Sequence, residues 1–173
     1  MPTTTRPDQS EYAPYYARYV SLVPDGDVLD VLERQLGDTV HLLGGVSEAR
    51  VEHRYAPGKW SVRQVVGHVI DTERIFAYRG LCFARGDAGP LPGYEQDDYA
   101  VRGEFDRRTL RDLVGELVHV RRGNVMMFRG MSDEVLARRG VANGVEFSVR
   151  AIPWVLAGHE RHHVGILREK YLA

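Results

Sequence analysis

Cysteine occurs once in these 173 residues, which excludes an internal disulfide framework and any multi-cysteine zinc knuckle. Neither sign of charge is in excess: 23 Lys+Arg stand against 24 Asp+Glu, a formal net charge of −1. With no basic block either, there is no electrostatic footprint for nucleic acid or an anionic membrane. No apolar run reaches the roughly 20 residues needed to span a bilayer. The opening Met-Pro-Thr-Thr-Thr-Arg lacks the apolar stretch of a secretory signal. A cytoplasmic protein with one domain is expected, its 43% hydrophobic residues enough to bury a real core. What the sequence does have is seven histidines, and they call for an explanation.

Residues 1–24, with several prolines and Tyr12, Tyr15, Tyr16 and Tyr19, are expected to form an arm packed on a domain that spans 25–173. Asp25 or Asp27 can cap a helix with Leu29, Leu32, Leu36, Val40 and Leu43 at three- and four-residue spacing, ended by Gly44-Gly45. Ser61-Val62-Arg63-Gln64 fits a capping box, and Val62, Val65, Val66, Val69, Phe76 and Phe83 form the inner stripe of a second helix ended at Gly86. The stretch from Gly86 to Phe105, rich in Pro, Gly and acids, is expected to be irregular. Connections this long are more often functional than decorative. Asp106 is the expected cap of a third helix carrying Leu110, Leu113, Val114, Leu117, Val125 and Phe128 on one face. A short turn near 132–137 and a hairpin at Asn143-Gly144 lead to Ser148, which can cap a last helix running to about Leu172. Four long amphipathic helices describe an all-α protein, a four-helix bundle, with a long loop between helices 2 and 3 and a small hairpin before the last.

Ile152, Val155, Leu156, Ile166 and Leu167 define the buried stripe of that last helix, and His159 and His163 fall at its middle, one turn apart. An i, i+4 pair of imidazoles can fill two positions on one metal; two hydrogen-bonded core histidines are the alternative. His159-Glu160-Arg161-His162-His163 also matches the H-E-x-x-H pattern, in which the Glu activates a zinc-bound water. Only ten residues follow His163, so a third ligand is expected from upstream and not in the usual protease manner. His68 is the best upstream candidate, although it lies only at the edge of its stripe. His162 is a flanking residue, and His41, His53 and His119 are weaker candidates. Glu73 and Arg121 also sit inside apolar stripes. A lone buried charge costs several kcal/mol, so these two are expected to pair across the bundle.

Lys59-Trp60-Ser61-Val62-Arg63-Gln64-Val65-Val66-Gly67-His68 with Asp71-Thr72-Glu73-Arg74, Pro90-Leu91-Pro92-Gly93-Tyr94, and Ala157-Gly158-His159-Glu160-Arg161-His162-His163 with Ile166-Leu167-Arg168-Glu169-Lys170-Tyr171 resemble the motifs of the DinB/YfiT-like superfamily over nearly the whole chain. The resemblance implies a four-helix bundle, often a homodimer, holding a divalent metal (zinc or nickel) through His68, His159 and His163. It further implies thiol S-transferase chemistry with a low-molecular-weight thiol such as bacillithiol, mycothiol or glutathione, or a mycothiol-dependent isomerisation. The thiol would be borrowed, because Cys82 lies outside the apolar centre of its helix. Two rivals stand beside this reading. One is hydrolysis of a small ester or amide with Glu160 as catalytic base; the other is a non-enzymatic, dimeric, metal-binding stress-response protein. Tyr94, Asp97 and Asp98, in the long connection, are candidates for contact with a small-molecule substrate.

Overall fold

Capping side chains set where the helices begin. The computed structural model describes residues 5–87 and 89–172; Met1–Thr4 of the expected arm lie outside them. The Asp27 carboxylate accepts the Leu29 amide at 2.8 Å and opens α2 (Val28–Gly44). Ser61 opens α4 (Val62–Ala84) through a complete capping box with Gln64. Thr109, not Asp106, caps α6 (Leu110–Arg129), its hydroxyl accepting the Asp112 amide at 3.1 Å. Asp106 instead lies in a 3-10 turn, Phe105–Arg107, and is tied to Arg54. Ser148 Oγ accepts the first amide of α8 (Ala151–Ile166) at 3.0 Å. That helix runs on into a π turn, Leu167–Tyr171.

Shorter helices fill the connections: α1 (Ala17–Val20), α3 (Glu48–Val51), α5 (Gln96–Arg102) and α7 (Asp133–Leu136). The presence of α5 corrects the expectation of an irregular stretch from Gly86 to Phe105. Strands β1 (Arg139–Ala142) and β2 (Val145–Ser148) form an antiparallel hairpin. Asn143 and Gly144 at its tip have φ of +53° and +72°, as a type I′ turn requires. Leu91 is pinned to the hairpin by Leu91 N–Val141 O (2.9 Å) and Asn143 N–Leu91 O (3.0 Å).

The four long helices bury two apolar clusters. One gathers Val28, Leu29, Leu32, Phe76, Phe83, Val125, Phe128, Ile152 and Trp154; the other gathers Leu36, Leu43, Val62, Val66, Ile70, Leu113, Leu117 and Leu167. Each fully buried side chain of this kind contributes about 1.5–3 kcal/mol. Tyr12, Val20 and Val23 of the N-terminal segment join the first cluster, and α1 lies on α8. A Cβ at Gly158 would meet the Tyr19 carbonyl oxygen at 2.0 Å, so only glycine permits that approach.

The order in which each helix visits the clusters gives its direction. α2 and α8 run from the first cluster to the second, α4 and α6 from the second to the first. α2 and α4 each pack against both α6 and α8. Thus α2 lies diagonal to α4, and α6 diagonal to α8, with parallel neighbours α4–α6 and α2–α8. Because α4 and α6 point the same way, the chain leaving Ala84 must travel back along a helix roughly 35 Å long before α6 can start. That is the physical reason for the long connection. Where each helix crosses from one cluster to the other it carries polar residues: Gln35 and Thr39, Thr72 and Glu73, Arg121, His159 and Glu160. A polar layer separates two dry cores.

Candidate metal centre

Within that layer His68 on α4 meets His159 and His163 on α8. His159 Nε2 lies 3.0 Å from His68 Nε2 and 3.1 Å from His163 Nε2, and the three potential ligand atoms all fall within 4.8 Å of one another. Tetrahedral zinc with Zn–N near 2.0–2.1 Å places its nitrogens about 3.3 Å apart, so the cluster is sized for one ion. Burial removes the charged form of each imidazole. It pushes His68 down to about 4 and His163 down to about 3, and holds His159 well below its ordinary value, with neighbouring histidines adding to each effect. All three rings are therefore neutral at pH 7 and present nitrogen lone pairs, the form a metal takes. His68 Nδ1 is buried with no hydrogen-bond partner among the described residues, which leaves Nε2 as the nitrogen with a defined role.

Aromatic rings frame the cluster. Trp60 packs at 4.8 Å on His68 and stacks at 6.4 Å on His163. Tyr19, from α1, sets its ring edge-on at 5.5 Å to His159 and 5.6 Å to His162. His162 is half-buried and stays outside the three-nitrogen group, flanking it through a ring contact to His163 at 5.1 Å. Neither Tyr19 nor Trp60 carries a signal by periodicity. Trp60 has one in its place immediately before the Ser61 cap.

Glu160 is not where the H-E-x-x-H pattern would use it. One residue along a helix is a turn of about 100°, and its carboxylate faces the centre of the bundle, 1% exposed. Arg121 Nη1 lies 2.8 Å from Glu160 Oε2, Thr39 Oγ1 donates to Oε1 at 2.6 Å, and Gln35 Nε2 also donates to Oε2. Both oxygens are thus committed and sealed from solvent, which corrects the expectation that Glu160 is a catalytic base. Arg121 also grips Glu73 in a two-pronged ion pair, Nε–Oε1 and Nη2–Oε2 both at 2.8 Å, and donates to the Leu32 carbonyl at 3.2 Å. Asn124 donates to Glu73 at 3.2 Å. The pairing of Glu73 with Arg121 that the stripes call for is present, but as part of a larger network. Arg121, on α6, thus reaches the other three long helices.

Two cavities open on the histidines, each on a different one. One, of about 440 Å³, is lined by His159 together with Tyr16, Thr72, Phe76, Arg79 and Tyr94. The other, of about 650 Å³, is lined by His163 together with Arg54, Lys59, Trp60, Gln64 and Tyr171. Gln96 and Asp97 of α5 border both. Tyr94 is half-buried, its hydroxyl 2.7 Å from Thr72 Oγ1; burial raises that hydroxyl above its ordinary value. Asp97 is exposed at the shared rim. Asp98 pairs with Arg102 at 3.3 Å and lines neither cavity, as is true of half-buried Cys82. His41, His53 and His119 are exposed.

Fold and site together define a class: a four-helix bundle with three neutral imidazoles gathered for one metal ion. Comparison with known proteins agrees. The chain belongs to the DinB superfamily, whose family model matches residues 32–167. It is 26% identical over 143 residues, 81% of this chain and 79% of the other, to a protein of Oceanobacillus iheyensis named by inference a metal-dependent hydrolase. Among solved structures it is similar to YfiT from Bacillus subtilis, described as a probable metal-dependent hydrolase with an unusual four-helix bundle topology. The TM-score is 0.69 at 16% identity, over 94% of this chain and 89% of that one. It is also similar to a mycothiol-dependent maleylpyruvate isomerase, with a TM-score of 0.66 at 14% identity over 79% of this chain and 58% of that longer protein. At these identities the structural likeness concerns the fold.

Proposed function

We propose that this protein is a metal-dependent enzyme that joins a small thiol to an electrophilic small molecule at the three-histidine centre. The observation that carries this reading is the pair of cavities, each opening on a different histidine of the same cluster. A site for one substrate and water needs only one. Zinc or nickel held by His68, His159 and His163 would supply Lewis acidity, lowering the pKa of a thiol or water beside it.

The chain's own residues do the rest. Neutral His68, His159 and His163 offer lone pairs, while Trp60 and Tyr19 fix their rings and exclude water. Tyr94, held by Thr72, and Asp97 face the space where substrates meet. In the reaction a bond forms between the thiol sulfur and an electrophilic carbon; the thiol proton passes to solvent and the leaving group departs with the bonding electrons. Cys82 lines neither cavity, so the sulfur comes from a free low-molecular-weight thiol. Hydrolysis, the activity for which the Oceanobacillus and Bacillus proteins are described, is the second reading. It has to proceed without Glu160 as base.

Elemental analysis of protein purified without a metal-affinity tag tests the centre: about one zinc or nickel per chain is expected, lost in His159→Ala. Unchanged metal content in that variant overturns the assignment. The loaded protein is then offered glutathione, mycothiol and bacillithiol with a panel of electrophiles. Conjugate formation is expected; ester hydrolysis with no conjugate would select the second reading.

A further inference from the structure

Of the charged side chains buried in the described residues, Glu11 pairs with Arg150, Arg63 with Glu48 and Glu52, and Arg121 with Glu73 and Glu160. Arg79 is the exception. It is 3% exposed, and no Asp or Glu among the described residues forms an ion pair with it. One of its five N–H groups, on Nη2, reaches the Pro92 carbonyl at 2.8 Å, and its guanidinium carbon stands 4.9 Å from the centre of the Phe76 ring. Its neighbours are neutral tyrosines, Tyr16 and Tyr94, whose phenols face the same cavity as His159. Glu95 and Asp97 lie at the mouth of that cavity, both exposed to solvent. A cation taken out of water and left unpaired costs several kcal/mol, and no carboxylate of the described residues stands within ion-pair distance to offset it. The planar fork of a guanidinium matches a carboxylate with two parallel hydrogen bonds.

We infer that the cavity beside His159 takes a small organic acid whose carboxylate pairs with Arg79, so that Arg79 selects the electrophilic substrate. This inference rests on the proposed function and names its substrate class. The carboxylate would sit at the buried end of the cavity, against Arg79 and the Tyr16 and Tyr94 hydroxyls. The rest of the molecule would extend along the Phe76 wall toward His159. The other cavity, with Lys59 and Arg54 at its edge, is left for the thiol.

The test measures binding to metal-free protein at pH 7.5, so that no metal contributes to holding the acid. Titration calorimetry compares phenylacetate with its neutral isostere phenylacetamide. Phenylacetate is expected to bind at least about tenfold more tightly, the value of one charged hydrogen-bonded pair. Arg79→Gln should abolish the preference while leaving the amide's affinity unchanged, and Arg79→Lys, which keeps the charge but not the fork, should retain part of it. Equal affinity of the native protein for the two probes overturns the inference, with no variant needed. So does a preference that survives in Arg79→Gln. Because the metal is absent, failure here leaves the metal centre standing, and loss of the metal centre leaves this result standing.

Discussion

Replacing Arg121 by methionine would remove one positive charge from a place where two carboxylates depend on it. Arg121 is fully buried, and Glu73 and Glu160 are each 1% exposed. In Arg121→Met the carboxylates keep only neutral donors, Asn124 for Glu73 and Thr39 with Gln35 for Glu160. Breaking a buried ion pair by deleting one partner costs about 3–5 kcal/mol, against a total stability of about 5–15 kcal/mol. For a chain of this length each kcal/mol moves the melting temperature by roughly 2–4 °C, so a fall of about 6–20 °C is expected. Thermal and urea denaturation of metal-free protein are the suitable assays, because bound metal would add its own stabilisation. A companion variant, Glu73→Leu/Arg121→Met/Glu160→Leu, replaces the whole set by apolar groups and should recover most of the loss. Arg121→Met within about 1 kcal/mol of the native protein would refute the claim that the network is dry. A triple variant no better than the single one would refute the claim that unpaired charge is the cause.

Two further predictions concern the same layer. Below the ordinary histidine pKa of about 6.5 the unfolded chain takes up protons that folded His68, near 4, and His163, near 3, refuse. The stability of metal-free protein should therefore fall as pH drops from about 6.5 toward 4, by up to about 1.4 kcal/mol per unit for each histidine; a flat denaturation midpoint across that window would count against burial of the cluster. Gly158→Ala drives a methyl into the Tyr19 carbonyl, so α1 must leave α8; a loss of about 1–3 kcal/mol is expected, and a native melting temperature would show that the contact is slack.

His159 and His163 are legible because two imidazoles one turn apart on an apolar stripe must share a polar partner or a metal. His68 is not, since the edge of a stripe is also where a surface histidine sits; only resemblance singles it out. Glu160 misleads because H-E-x-x-H specifies spacing, whereas the partner that fixes its direction, Arg121, lies far off in sequence. Arg79 carries a faint signal of its own, a charge between Phe76 and Phe83 on a buried face. α5 has seven residues, shorter than the windows in which periodicity shows itself. Asp106 and Thr109 are both capping types three residues apart, and local sequence does not choose between them.

The direction of the helices bears on how the surroundings of such a site can vary. In a bundle where every neighbour is antiparallel, the connections stay at the two ends, far from the middle. Here parallel α4 and α6 oblige one connection to pass the polar layer, and it brings Tyr94, Gln96 and Asp97 to the histidines on its way. Ala100 is the buried residue of α5, and none of the helix's residues belongs to either apolar cluster. Its exposed residues can be exchanged one by one to reshape the two cavities, with the packing that keeps the protein folded left untouched.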